Sequence, residues 1–221
     1  SIPIAPAHVV ANGVLQEEVD LPDGVRRTHW KQSVPIASWL YALGIARFAV
    51  HHYDTVRGIP QQVWVFPQDR EKGYELFELT GRRAFEFFSD WIGPYPYEKL
   101  AHVQAAGISG GTEHASAIFY GEKGVAAGRG PVVHEVAHQW WGNAVTEKDW
   151  DDVWLSEGFA TYFTHLFAEH ASGREAFLRG LRADVATIVA GHKAAPEQPV
   201  IHRNIADTSR VLNRFAYQKG G

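Results

Sequence analysis

The stretch His134-Glu135-Val136-Ala137-His138, followed by Glu157, decides the reading of this chain. A helix repeats every 3.6 residues, so His134 and His138 at i and i+4 point the same way, about one turn apart. Two neutral imidazoles so placed can hold one Zn²⁺. Glu135 lies beside them, where a carboxylate can take a proton from activated water. A catalytic zinc usually keeps three protein ligands and one open position, and two His with one Glu is an established set. Glu157 is the natural third ligand, with eighteen residues between it and His138.

The surroundings fit helices at both places. Pro131 suits a first helical turn and Gly142 the end of one. Val132, Val133, Val136, Ala137, Trp140 and Trp141 supply apolar faces. A second helix is expected to begin near Ser156 as N-cap and to carry Glu157 in its first turn. It continues through Phe159, Ala160, Tyr162, Phe163, Leu166 and Phe167.

The runs His134-Glu-Val-Ala-His-Gln-Trp-Trp-Gly-Asn143 and Trp154-Leu-Ser-Glu-Gly-Phe-Ala-Thr-Tyr-Phe163 resemble the aminopeptidase N family of zinc metallopeptidases, the gluzincins that include leukotriene hydrolase. The eighteen-residue gap is that family's spacing. Gly110-Gly111-Thr112-Glu113-His114 resembles its G-x-M-E-N exopeptidase motif, and Tyr217-Gln218-Lys219-Gly220 its Y-x-K-G segment. The segments follow in family order, and weaker similarity, including Gly93-Pro-Tyr-Pro-Tyr97, covers nearly the whole chain.

The resemblance implies an α+β fold: a thermolysin-like zinc metallopeptidase catalytic domain, a small β-sheet followed by helices, preceded by a β-rich segment. Residues 1–58 are expected to be the end of an N-terminal β domain, and 59–221 a catalytic domain truncated at its C-terminal end. It implies one Zn²⁺ on His134, His138 and Glu157, with Glu135 as base. Glu113 would bind the α-amine of a peptide substrate with a free N-terminus, beside the backbone of Gly110 and Gly111. An ammonium in a closed pocket needs a paired anion. Tyr217 would stabilise the tetrahedral oxyanion, a task that suits a phenol donor. Thr112 stands where the family usually has Met, so the first substrate pocket is expected to be wider or more polar. His114 stands in place of Asn and can titrate. Where the family often has Glu, seven positions after the ligand Glu, this chain has Thr164. Thr164, Thr161 or the Asp149, Asp151, Asp152 loop are alternatives for orienting the ligand imidazoles.

Composition bounds the rest. With 221 residues, 45% of them hydrophobic, the chain can bury a sizeable core. A net charge of −4 gives no reason to expect nucleic acid. No apolar run approaches the roughly 20 residues of a membrane span. The absence of Cys excludes disulfides and thiol catalysis. The chain also lacks Met, opens without a signal peptide and stops at Gly220-Gly221, so it reads as an internal piece of a longer protein that lacks further N- and C-terminal domains. The compartment is open.

Along the chain, residues 1–58 alternate short β-like runs with turns, and Asn12-Gly13 and Asp23-Gly24 are hairpin signals. Val63 to Phe66, Ala101 to Ala106 and Ala115 to Tyr120 read as strands. Gly73 to Ile92 reads as one helix with a core stripe of Leu76, Phe77, Leu79, Ala84, Phe85, Phe87, Phe88 and Trp91. Arg174 to Ala190 reads as a long helix, and 191–206 as loop.

Two rivals to an aminopeptidase remain at this stage. One is another hydrolase on the same zinc site, an endopeptidase or epoxide hydrolase. The other is a catalytically silent binding or scaffold protein.

Overall fold

A computed structural model describes residues 2–3, 7–22, 24–196, 199–201 and 211–221. They form two compact units, Ser1–Gln139 and Trp140–Gly221.

The first unit holds ten strands among its described residues: β1 (Ile2–Pro3), β2 (His8–Ala11), β3 (Val14–Asp20), β4 (Val25–Lys31), β5 (Leu43–Ala46), β6 (Ala49–Val56), β7 (Ile59–Val65), β8 (Leu100–Ala105), β9 (Gly111–Thr112) and β10 (Ala117–Gly121). The β1, β4 and β3 strands make an antiparallel sheet in that order, and β2 pairs antiparallel with β5. The largest sheet runs β6-β7-β8-β10-β9. Its interior pairs, β7 with β8 and β8 with β10, are parallel, and both edges are antiparallel. The hairpin of β6 and β7 therefore carries the chain across residue 58 within one sheet.

Strand β8 is buried along nearly its whole length, and β10 throughout, as expected of parallel strands covered on both faces. One face gathers Trp64, Ala101, Val103, Ala117 and Phe119 against Val10 and Phe48. The other turns Leu100, His102, Ile118 and Tyr120 inward, and Phe77 stacks flat on His102 with ring centroids 4.8 Å apart.

Helices follow on that second side: α1 (Arg70–Leu76), a π-turn over Phe77–Gly81, α2 (Arg82–Trp91), α3 (Glu122–Ala126) and α4 (Val132–Ala137). Gly73 lets α1 approach the sheet, since a Cβ there would sit 2.7 Å from Val65 Cγ1. The single helix expected over Gly73 to Ile92 is thus interrupted. The wide turn re-phases the apolar stripe. Phe77, Ala84, Phe85, Phe87 and Phe88 are buried as expected, but Leu79 and Trp91 are 60% and 61% exposed.

The hairpin signals divide. Gly24, at φ 77°, closes the β3–β4 hairpin, although Asp23 lies outside the described residues. Asn12-Gly13 does not make a hairpin, because β2 pairs with β5 rather than β3. Asn12 instead donates to Leu40 O and Ala115 O and accepts from Ala42 N, so its amide tacks three segments together.

The second unit contains α5 (Trp154–Ser172), α6 (Arg174–Ala194) and a π-turn over Phe215–Lys219. Helix α5 starts three residues earlier than expected. Val153 is its N-cap, and Ser156 lies inside the first turn. Helix α6 runs four residues past Ala190. The rest of the expected 191–206 loop lies largely outside the described residues. Val153, Val211 and Ala216 form a small core with Trp154 and Tyr217. Gly158 accommodates the chain end, since a Cβ there would collide with the Gly220 carbonyl carbon.

Candidate metal centre

Helix α4 is short, with Pro131 as its N-cap and His138 as its C-cap. Gly142 lies in the turns that follow, at φ 102°. The two imidazoles converge. His134 Nε2 and His138 Nε2 are 3.0 Å apart, with the rings at 87°. Tetrahedral zinc with Zn–N bonds of about 2.0–2.1 Å places two nitrogens about 3.3 Å apart, so this donor pair fits the ion. His138 is fully buried, Glu135 is buried and His134 is half-buried.

Strand β9 brings the exopeptidase-like loop to the same place. Gly110, at φ 73°, turns the chain, and its carbonyl accepts from Gly121 N at 2.9 Å. Gly111 and Thr112 pair with Tyr120 and Phe119. A Cβ on Gly111 would stand 2.5 Å from Glu135 Oε1, so the carboxylate of Glu135 lies close against the β9 backbone. Only a residue without a side chain permits that approach unless the carboxylate moves. Glu113, Glu135 and His138 each bring one donor atom within 4.8 Å of the others.

Burial lowers the His114 pKa, opposed by the charge of Glu113 and a hydrogen bond with the Leu40 backbone. Its ring meets Phe119 edge-on at 5.6 Å.

Glu157 occupies the first turn of α5 and is buried. Tyr217, in the π-turn near the chain end, donates its hydroxyl to Glu157 Oε1 at 2.8 Å. Thr164 gives its hydroxyl to Ala160 O, a bond within its own helix. Thr161 is buried, and Asp152 accepts from Trp154 Nε1. Tyr95, Tyr97 and Tyr120 are core residues, with their hydroxyl pKa values raised chiefly by burial.

Four buried polar residues have no forerunner in the sequence reading. Gln139, next to His138, bonds to both ends of the 113–116 turn: its Nε2 donates to Glu113 O at 2.9 Å, and its Oε1 accepts from Ser116 N at 2.9 Å and Tyr95 OH at 3.3 Å. Ser116 holds a left-handed backbone at φ 63°, a strain on the order of 1–3 kcal/mol for a non-glycine residue. Lys99 Nζ donates to Ala11 O and Ser116 O, and burial lowers its pKa to about 7. His102 shares a hydrogen bond with Tyr120 OH at 3.0 Å, and burial lowers its pKa to about 3. The one available signal was position: Gln139 follows the second histidine of the His-Glu-x-x-His pattern, and Lys99 and His102 flank or enter a buried strand.

Residues 77–221 match the peptidase family M1 domain. The chain is 32% identical over 184 residues to a glutamyl aminopeptidase of Bos taurus, covering 73% of this chain and 18% of that protein. It is 31% identical over 157 residues to an aminopeptidase N of Canis lupus familiaris, covering 63% of this chain and 16% of that one. A crystal structure of an M1 zinc metallopeptidase from Deinococcus radiodurans matches with a TM-score of 0.78 and 25% identity, over 98% of this chain and 48% of that one. The chain thus spans about a fifth of the length of these curated relatives and about half of that solved chain.

Proposed function

Because the chain belongs to peptidase family M1, a family of zinc metallopeptidases, we propose that it carries the catalytic site of a zinc-dependent aminopeptidase. Residues 59–221 are the catalytic portion in this reading, and residues 1–58 the end of a preceding β domain. His134, His138 and Glu157 hold one zinc ion. What supports the histidine pair is its 3.0 Å nitrogen separation; what supports Glu157 is its spacing in the sequence. A bound zinc supplies Lewis acidity, polarising the scissile carbonyl and lowering the pKa of water.

The chain's own residues perform the other tasks. Glu113 accepts the substrate α-ammonium and sets where the first residue ends. Gly110 and Gly111 leave room for the substrate backbone beside it. Glu135 takes the proton of the attacking water and delivers it to the leaving amine. The Tyr217 hydroxyl turns from the Glu157 carboxylate to the carbonyl oxygen as that oxygen gains charge.

The observation that carries the exopeptidase reading is the meeting of Glu113 with Glu135 and His138. An anionic group so near the base and a ligand leaves space for only a short amino-terminal stretch. Hydrolysis of aminoacyl fluorophores by the intact protein, with and without a chelator, tests it. Chelator-sensitive release from free-amine substrates is expected. Equal cleavage of blocked peptides would favour an endopeptidase, and no hydrolysis would favour a silent scaffold.

A further inference from the structure

We infer that Gln139 is a positioning residue that fixes the Glu113 anchor relative to the ligand helix; this rests on the aminopeptidase reading. Gln139 directly follows His138, is fully buried, and is tied into the end of α4 by its N–H to Val136 O. Its side-chain amide reaches out of that helix and closes the turn that carries Glu113.

The amide can face only one way. Glu113 O can only accept and Ser116 N can only donate, so Nε2 must meet the first and Oε1 the second. Tyr95 OH donates to Lys99 O at 3.0 Å and shares that one proton with Oε1 at 3.3 Å, and its ring is buried against Phe85. Ser116 is also gripped by Lys99 at its carbonyl, and its hydroxyl accepts from Gly13 N. The turn is therefore fixed at its far end by several groups, and at its near end Gln139 joins the Glu113 backbone directly to the ligand helix. Loss of that donor breaks the bond to the Glu113 carbonyl, and the anchor shifts relative to His138. A shift there alters where the α-amine sits, not whether the helix holds its metal.

The test uses Gln139→Glu, which keeps the shape and the acceptor toward Ser116 but removes the donor toward Glu113, and Tyr95→Phe, which removes one restraint on the amide. Calorimetry on the zinc-loaded intact protein measures binding of L-phenylalaninamide and of its N-acetyl form, beside zinc content and steady-state kinetics. For Gln139→Glu the preference for the free amine should fall about tenfold, the loss of roughly one hydrogen bond. KM for free-amine substrates should rise by a similar factor with kcat within about threefold, at full zinc content. Tyr95→Phe should lower the preference about two- to threefold, and it alone decides the matter if Gln139→Glu does not fold. An unchanged preference in the folded variants overturns the inference, as does loss of zinc in step with loss of preference. If the unaltered protein does not distinguish the amine from its acetyl form, the aminopeptidase reading itself fails, and the inference with it.

Discussion

The hydroxyl of Tyr217 donates to Glu157 Oε1 at 2.8 Å, linking the last turn of the chain to the first turn of α5. The bond gives the phenol a defined resting partner and orients a carboxylate proposed as a metal ligand. Tyr217→Phe removes both. If the hydroxyl's main task is the oxyanion, kcat should fall about 10²-fold while zinc affinity changes less than about tenfold. Turnover assays and competition with a chelator, run on the same preparations, separate the two quantities.

Glu135 is buried with its carboxylate against Gly111, and it shares a cluster with Glu113 and His138. Glu135→Gln should retain zinc and thermal stability but lose about 10²-fold or more in turnover. A wild-type rate in the intact protein would remove Glu135 from the mechanism.

Glu113 should act on binding rather than on the metal. Glu113→Ala is expected to impair hydrolysis of free-amine substrates at unchanged zinc content. N-acetylated peptides should be poor substrates of the unaltered protein, since acetylation removes the charge that Glu113 is proposed to pair. Efficient cleavage of acetyl-capped peptides would move the reading to an endopeptidase.

His102 predicts an acid-labile core. Its pKa falls from 6.5 to about 3 on folding because burial disfavours the charged ring. The unfolded chain therefore binds more protons between those values, and this group's contribution to stability, present above pH 6.5, is lost as pH falls toward 3. Denaturant melts at pH 7 and pH 4 should show a smaller loss for His102→Phe than for the unaltered protein. The variant carries a constant penalty at both values, because Tyr120 OH loses its partner. Equal losses would mean that His102 is not neutral in the fold.

The motifs were legible because their chemistry depends on spacing along one element. His134 and His138 converge as the helical period requires, and the strands that hold Val63, Val103 and Phe119 were visible as apolar β-branched or aromatic runs. The failures came where tertiary contacts override local signals. Asn12-Gly13 is a hairpin turn by local rules, but the Asn12 amide finds three distant backbone partners and β2 pairs elsewhere. Leu79 fitted the helical stripe, but the π-turn beside His102 rotated it outward. Gln139, Ser116 and Lys99 were invisible because a buried polar network has no period; each residue matters only through the partner that folding brings to it.

The central claim is one zinc ion on His134, His138 and Glu157. Anomalous scattering at the zinc edge from crystals of the metal-loaded protein tests it most directly. A single peak is expected about 2.0–2.2 Å from His134 Nε2, His138 Nε2 and one Glu157 oxygen. A peak held by Glu113, Glu135 and His138 instead, with Glu157 turned away, would contradict it.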